Sequence, residues 1–312
     1  DIIPGADGDH LLKDKYSGYV TLEDSYLENG NLVLRNQKRD YTGSSPAGQY
    51  SYTSGWAMSM HKVYFNKGYI EMRAQFPSGD KVWPALWLIA EDLVWGPEWD
   101  MFEYFGKNVV GDDVMALNLM STEWPQIQWS TGYIHNFDQL YDCEAWHTYG
   151  FEWTEEKAVW TIDGVVKREL SSDGFWNRWP NEDMYIVINN EVQTNATDLT
   201  TQWPNYLKID YVEIYEKGDA LNFTGINIPD WLTLVDNGDN TATLSGTPTA
   251  AGTYSVSIMA HESHDTLIFE DFESYANGYD YVGNNSSTWW NNGGTSAPAT
   301  VNDAGNGAGG SD

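Results

Sequence analysis

Residues 98–105 read Glu98-Trp99-Asp100-Met101-Phe102-Glu103-Tyr104-Phe105, three acids interleaved with large apolar side chains. In a regular strand every second residue faces the same side. Glu98 and Asp100 would then stand together, while Glu103 would fall on the reverse face. One extra residue between Asp100 and Glu103, a β-bulge, restores the parity and puts all three carboxyls on one surface. The interleaved aromatics require a strand that is largely buried, with acids lying in a cleft, and such a strand needs neighbours.

Those neighbours are legible on both sides. Gly68 to Phe76 (GYIEMRAQF), Thr148 to Trp153 (TYGFEW), Ala158 to Asp163 (AVWTID), Tyr185 to Asn189 (YIVIN) and Leu207 to Tyr215 (LKIDYVEIY) alternate apolar and polar residues or are rich in β-branched and aromatic types. Gly, Asn, Asp and Pro bound them, with Asn29-Gly30 and Asp163-Gly164 as turn signals. No window of a dozen residues carries a 3.6-residue period, so the pattern predicts an all-β sandwich of two antiparallel sheets.

Composition bounds the function. The chain has 312 residues, with 16 Lys+Arg against 46 Asp+Glu, for a formal charge of −30. A field of that sign repels nucleic acid and anionic lipid, and the clustered cations that neutralise phosphates are missing. The apolar run Val82 to Ala90 is nine residues long, well short of the roughly 20 that span a bilayer. Cys143 is the single cysteine, so an internal disulfide is excluded. A chain starting at Asp1 without an initiator Met or a signal peptide reads as a mature or trimmed form. There are 16 Trp and 20 Tyr, flat side chains that cost little entropy to hold as contact surfaces.

Three acids on one face cannot all ionise freely, so their proton affinities must separate. That is the requirement of retaining glycoside hydrolysis, in which one carboxylate attacks the anomeric carbon and a second carboxyl about 5 to 5.5 Å away protonates the leaving oxygen. The competing reading is a solvated acidic strand face in a very acidic protein.

The segment Thr53 to Gly106, containing TSGWAMS, KGYIEMRAQFPSG, VWPALWLIA and EWDMFEYFG, resembles glycoside hydrolase family 16. WHTYGFEW (Trp146 to Trp153), Ile162 to Gly164 and IDYVEIY (Ile209 to Tyr215) continue the likeness, which covers about residues 15 to 216. The resemblance implies a β-jelly-roll with a concave substrate cleft and endo-acting, retaining cleavage of β-linked polysaccharides. It makes Glu98 the nucleophile and Glu103 the general acid/base, with Asp100 modulating both. Two residues before the last Glu place the motif in the bulged branch of laminarinases, agarases, porphyranases and carrageenases. Trp99 departs from the small aliphatic residues usual in that motif.

Sugar rings stack on aromatic faces. Trp83 and Trp87 share a strand face, and Trp56, Trp95, Trp124, Trp129, Trp176 and Trp179 fall in or near predicted loops. These are candidate platforms, core filling being the alternative for each. Arg178 and His135 are candidate subsite residues, and His147 reads as structural. Glu191-Val192-Gln193-Thr194 looks like agarase and porphyranase relatives, making Glu191 and Gln193 candidate contacts with a red-algal galactan; an endo-β-1,3-glucanase is the alternative. The resemblance implies no catalytic cofactor, and a structural Ca²⁺ at Asp210 with a carbonyl donor at Gly30. A polysaccharide is the expected partner, and the chain is expected to act as a secreted monomer.

Three segments are expected: a catalytic jelly-roll over 1–218, a small β module over 219–264 resembling immunoglobulin-like modules, and over 265–312 the start of a further module or a disordered tail rich in Gly, Asn and Ser. Two other classes stay open. One is a jelly-roll that binds polysaccharide without cutting it. The other is a transglycosylase sharing the same covalent intermediate.

Overall fold

The computed structural model describes residues 17–44, 47–60, 62–90, 96–107, 112–122, 128–238, 241–254, 256–270 and 272–273. Seventeen strands follow one another: β1 (Gly18–Val20), β2 (Ser25–Glu28), β3 (Asn31–Ser44), β4 (Ala47–Met58), β5 (Gly68–Gln75), β6 (Val82–Ala90), β7 (Glu98–Lys107), β8 (Asp113–Met120), β9 (Trp129–His135), β10 (His147–Trp153), β11 (Lys157–Ile162), β12 (Val165–Ser171), β13 (Met184–Val192), β14 (Asn205–Ile226), β15 (Leu232–Asp236), β16 (Ala242–Gly246) and β17 (Ser257–Glu270). The α-helix among the described residues is the five-residue α1 (Phe137–Tyr141).

Among the described residues fifteen strands form one sheet: twelve follow the hydrogen-bonded path β12-β11-β10-β5-β14-β3-β4-β13-β6-β7-β8-β9, and β1, β2 and β17 pair beside it. The path folds over at the β3–β4 pair into two layers, giving the all-β jelly-roll sandwich. One layer holds β3, β14, β5, β10, β11 and β12. The other holds β4, β13, β6, β7, β8 and β9 and carries the acids.

Alternation sets the two faces of the acid-bearing layer. On β6, Val82, Leu86 and Leu88 enter the core between the layers, and Ala85, Trp87 and Ile89 belong to a second apolar cluster. That second cluster, with Trp56, Met58, Tyr185 and Val187, lies on the outer face. From the opposite layer Ile70 and Met72 of β5, Phe151 and Trp153 of β10, Trp160 of β11 and Leu207 of β14 close the core.

The two predicted turns close hairpins. Asn29-Gly30 (φ 52° and 72°) joins β2 to β3, and Asp163-Gly164 (φ 51° and 72°) joins β11 to β12. Both central residues are left-handed in each case, which Gly and Asn or Asp tolerate and which matches the twist of a hairpin.

β14 continues without a break past residue 218, and β17 runs antiparallel along it from Val212↔Glu270 to Ile226↔Ser257. β15 and β16 make a separate hairpin, beside which Trp231 meets Tyr254 edge-on at 5.1 Å.

Trp99 explains its own departure from the family motif. Its side chain is fully buried between the layers, with ring centroids 5.3 Å from Phe151, 5.9 Å from Trp153, 5.7 Å from Trp160 and 5.2 Å from Trp179. The large ring fills a space made by other large rings. Trp99→Ala should lower unfolding free energy by about 3–5 kcal/mol through lost burial and a residual cavity, read as a lower urea midpoint at unchanged slope.

Candidate active site

The expected bulge is present. On the β6 side Ala85 pairs with Glu103 and Leu86 with Phe102, after which the register slips so that Trp87 pairs with Asp100 and Ile89 with Glu98. On the β8 side Ala116 pairs with Glu103 and Asn118 with Asp100. The consecutive residues Met101 and Phe102 both enter the core, and Glu98, Asp100 and Glu103 come to one face.

Registers extend this into rows across the outer face. Tyr185, Ile89, Glu98, Met120 and Trp129 align in one; Met58, Val187, Trp87, Asp100, Asn118 and Thr131 in the next; Trp56, Asn189, Ala85, Glu103, Ala116 and Tyr133 in the third. The acids thus stand mid-sheet.

Specific donors orient them. Trp83 Nε1 donates to Glu103 Oε1 at 2.9 Å. The Asn118 amide donates to Asp100 Oδ2 at 2.8 Å and to Glu103 Oε2 at 3.0 Å. Both oxygens of Glu103 are therefore held, and one amide ties it to Asp100. Asp100 and Asn118 are 5% and 7% exposed, whereas Glu98 and Glu103 are only half-buried. Burial, and then the neighbouring Glu98 charge, push the Tyr185 hydroxyl pKa upward.

The aromatic candidates separate. Trp83 is half-buried on the acid face beside Phe105, with ring centroids 4.9 Å apart. Trp87 is buried on the same face, donates to Asn189 Oδ1 at 2.6 Å and meets Trp56 edge-on at 6.2 Å. It forms the floor beneath the acids. Trp129 is 54% exposed on the same face of β9. His135 lies further along that face, bonded through Nδ1 to Asp112 at 2.7 Å.

Several expectations are corrected. Trp56 is buried, its indole N–H donating to Glu191 at 2.5 Å. Glu191 is itself 1% exposed, and accepts further bonds from Ser54 Oγ and the Val192 N–H, both at 3.3 Å. It is a buried structural carboxyl and presents no edge to a ligand. Gln193 spends its amide on the Val82 carbonyl at 2.9 Å. Trp179 packs on Trp99 from the core side, behind the acids, and donates to the Thr154 carbonyl at 2.7 Å. Arg178 is exposed beside it. His147 bridges Asp163 and the Tyr141 carbonyl, the structural role expected of it. Trp95 and Trp124 lie outside the described residues.

Nothing among the described residues supports the calcium expectation. The Asp210 carboxylate is committed to Arg73, whose guanidinium lies 4.8 Å from the Trp146 ring centre. Gly30 sits in its turn with the Glu273 side chain against it. Among the described residues no group of three or more His, Cys, Asp or Glu could hold a metal ion. None of those helices is long and apolar enough to cross a membrane.

Sequence reasoning missed Asn118, Tyr133 and Tyr185. Asn118 is the one amide in the otherwise apolar stretch VMALNLM. Tyr133, 59% exposed, follows Trp129 and Thr131 at a period of two, the signal of a strand with one wetted face.

With this geometry in place, comparison with known proteins defines the class. Residues 14–213 match the family model for glycosyl hydrolases family 16. The chain belongs to that family. It is 27% identical over 208 residues to an endo-1,3-1,4-beta-glycanase of Rhizobium meliloti (strain 1021), covering 65% of this chain and 42% of that protein. A second endo-1,3-1,4-beta-glycanase of the same organism is 30% identical over 193 residues, covering 61% and 39%. Among solved structures, the laminarinase catalytic domain of Thermotoga maritima MSB8 superposes with a TM-score of 0.55 at 25% identity, covering 65% of this chain and 84% of that one. The chain thus spans less than half the length of these two Rhizobium relatives.

Burial pushes the Glu191 carboxyl up to about 8 from an ordinary 4.5, against three donors that favour its ionised form. The folded state therefore binds this proton more tightly than the unfolded chain. Its contribution to stability is complete below about pH 4.5, declines as pH rises and is lost at about pH 8. Glu191→Gln should flatten the melting temperature across that window, so the difference between variant and wild type grows with pH.

Proposed function

We propose that this chain is an endo-acting, retaining hydrolase of a β-1,3- or mixed β-1,3/1,4-linked glucan. The observation that carries the reading is the bulged placement of Glu98, Asp100 and Glu103 on one face, with Trp83 and Asn118 donating to the last acid. A protein that only bound glycans would need the aromatic face but no oriented acid pair.

Glu98 attacks the anomeric carbon while Glu103 protonates the departing glycosidic oxygen, leaving a glycosyl ester on Glu98. Glu103, now ionised, takes a proton from the incoming water, which displaces the sugar from Glu98 with net retention. Asp100 lies between them and shares the Asn118 amide with Glu103, so its charge is felt by both steps. Outside the cell such an enzyme would meet polymers too large to enter.

The substrate reading follows from two supports. The Rhizobium relatives are named endo-1,3-1,4-beta-glycanases and the Thermotoga neighbour a laminarinase. The galactan expectation leaned on Glu191, which is buried and bonded to Trp56, and on Gln193, whose amide nitrogen donates to the Val82 carbonyl.

Sizing of products from laminarin, mixed-linkage glucan, agarose and porphyran tests the choice. Oligosaccharides from the first two support it; products from agarose or porphyran alone reverse the substrate, and none from any polymer rejects the hydrolase. Glu98→Ser should abolish turnover while keeping polysaccharide binding, measured by affinity electrophoresis.

Trp129 and Tyr133 flank Thr131 on β9, in the rows of Glu98 and Glu103. They form two aromatic walls where a chain leaves the acids across the sheet edge. Trp129→Ala or Tyr133→Ala should raise KM for polymer about threefold to tenfold, the worth of one lost stacking contact. Hydrolysis of a short aryl glycoside should change little.

A further inference from the structure

Arg168 belongs to β12, at the edge of the opposite layer, and its half-buried side chain reaches across to the edge of the acid-bearing layer. It shares the face of its partner Trp160, which points inward, and its guanidinium carbon lies 4.9 Å from the Trp160 ring centre. The guanidinium ends on the acid-bearing layer. Nη1 donates to the carbonyls of Leu117 and, at 3.2 Å, Ser130; Nη2 donates to Ser130 Oγ at 2.6 Å.

The register shows what lies there. Asn118 pairs with Thr131, and the two carbonyls are those of the residues immediately before them. Leu117 and Leu119 point into the core, while Asn118 pairs across β7 with Asp100 on the outer face. Arg168 thus grips the Leu117–Asn118 peptide from behind the amide that bridges Asp100 and Glu103. Leu117 stands opposite the bulge, where the register between Asp100 and Glu103 slips and the ladder is least regular.

Gly132 makes room for this. A Cβ there would lie 2.8 Å from Arg168 Cδ and 3.1 Å from Nε. Gly132 has no positive φ to explain it, so the close approach of the arginine stem does.

We propose that Arg168 is a positioning residue for the acid pair: it fixes the Leu117–Asn118 peptide, and through it the Asn118 amide that orients Glu103 and Asp100. The inference rests on the assignment of Glu103 as the acid/base, but its geometry is independent of the substrate. An arginine that merely tied the two layers together would only add stability, whereas one acting through Asn118 changes the ionisation of Glu103. Among the described residues Glu98, Asp100 and, further along β9, His135 with its partner Asp112 are the other titratable groups facing that side.

The test is the titration of the Glu103 carboxyl carbon by ¹³C NMR in the full chain, beside kcat and KM on the preferred glucan. Arg168→Met should move the Glu103 midpoint by about half a pH unit or more and lower kcat about tenfold, with KM little changed. Gly132→Ala, which keeps the arginine but displaces its stem, should shift both in the same direction. Asn118→Ala combined with Arg168→Met should give no more than Asn118→Ala alone, because both act through one amide. A folded Arg168→Met protein with the wild-type Glu103 midpoint, or effects fully additive with Asn118→Ala, would overturn the proposal. Should Arg168→Met fail to fold, Gly132→Ala decides by the same criteria. A wild type that cleaves no glycan rejects the proposed function, while the titration still decides the role of Arg168.

Discussion

The bulge in β7 is the constraint on which the site depends. A strand with strict alternation would bury Glu103 in an aromatic core and lift Phe102 to the outer face, at a cost of several kcal/mol for the uncompensated charge alone. With the bulge, Met101 and Phe102 both go inward and three carboxyls come outward. A bulge loosens the ladder on each side, so something must hold it in one place. On the β6 side Trp83 reaches Glu103. On the β8 side Asn118 spans the irregularity, with Arg168 behind it.

The opposite layer therefore does more than cover the core. Its aromatic residues meet Trp99, the residue between two of the acids, so that the acid strand is pinned from behind by rings from β10 and β11. Large rings in a packed interior have few alternative positions. The support keeps the acids at one height on the outer face, while the second apolar cluster around Trp56 and Trp87 keeps that face from collapsing inward.

Much of this was legible in the sequence, because the signals were local. The mismatch between a five-residue spacing and a two-residue period announced the bulge, and Asn29-Gly30 and Asp163-Gly164 announced their hairpins. Whether a given tryptophan faced sugar or core was not legible, since both uses place an aromatic next to a turn. Trp179 and Trp129 have similar surroundings in the sequence; one sits behind Trp99 and the other lies open on β9. Glu191 misled for a different reason. Its segment resembles a binding motif, but its environment is set by Trp56 and Ser54, more than 130 positions earlier. Arg168 and Asn118 are joined only by the fold, and no periodicity within either strand connects them.

In a chain of net charge −30, composition says nothing about which carboxylates matter; their partners do. At Asp80 burial opposes ionisation, but the Thr197 and Thr201 hydroxyls and the N–H groups of Leu199 and Thr200 outweigh it and hold the carboxyl well below the usual range. At Glu191 three donors do not suffice, because burial outweighs them. Asp100 and Glu103 draw on the two hydrogens of a single amide, so a change of protonation at one alters the hydrogen bond offered to the other. A carboxyl that must release a proton in one step and recover it in the next is served by such a shared, non-titrating donor. On the proposed mechanism, Asn118 would let the proton move while the geometry stays fixed.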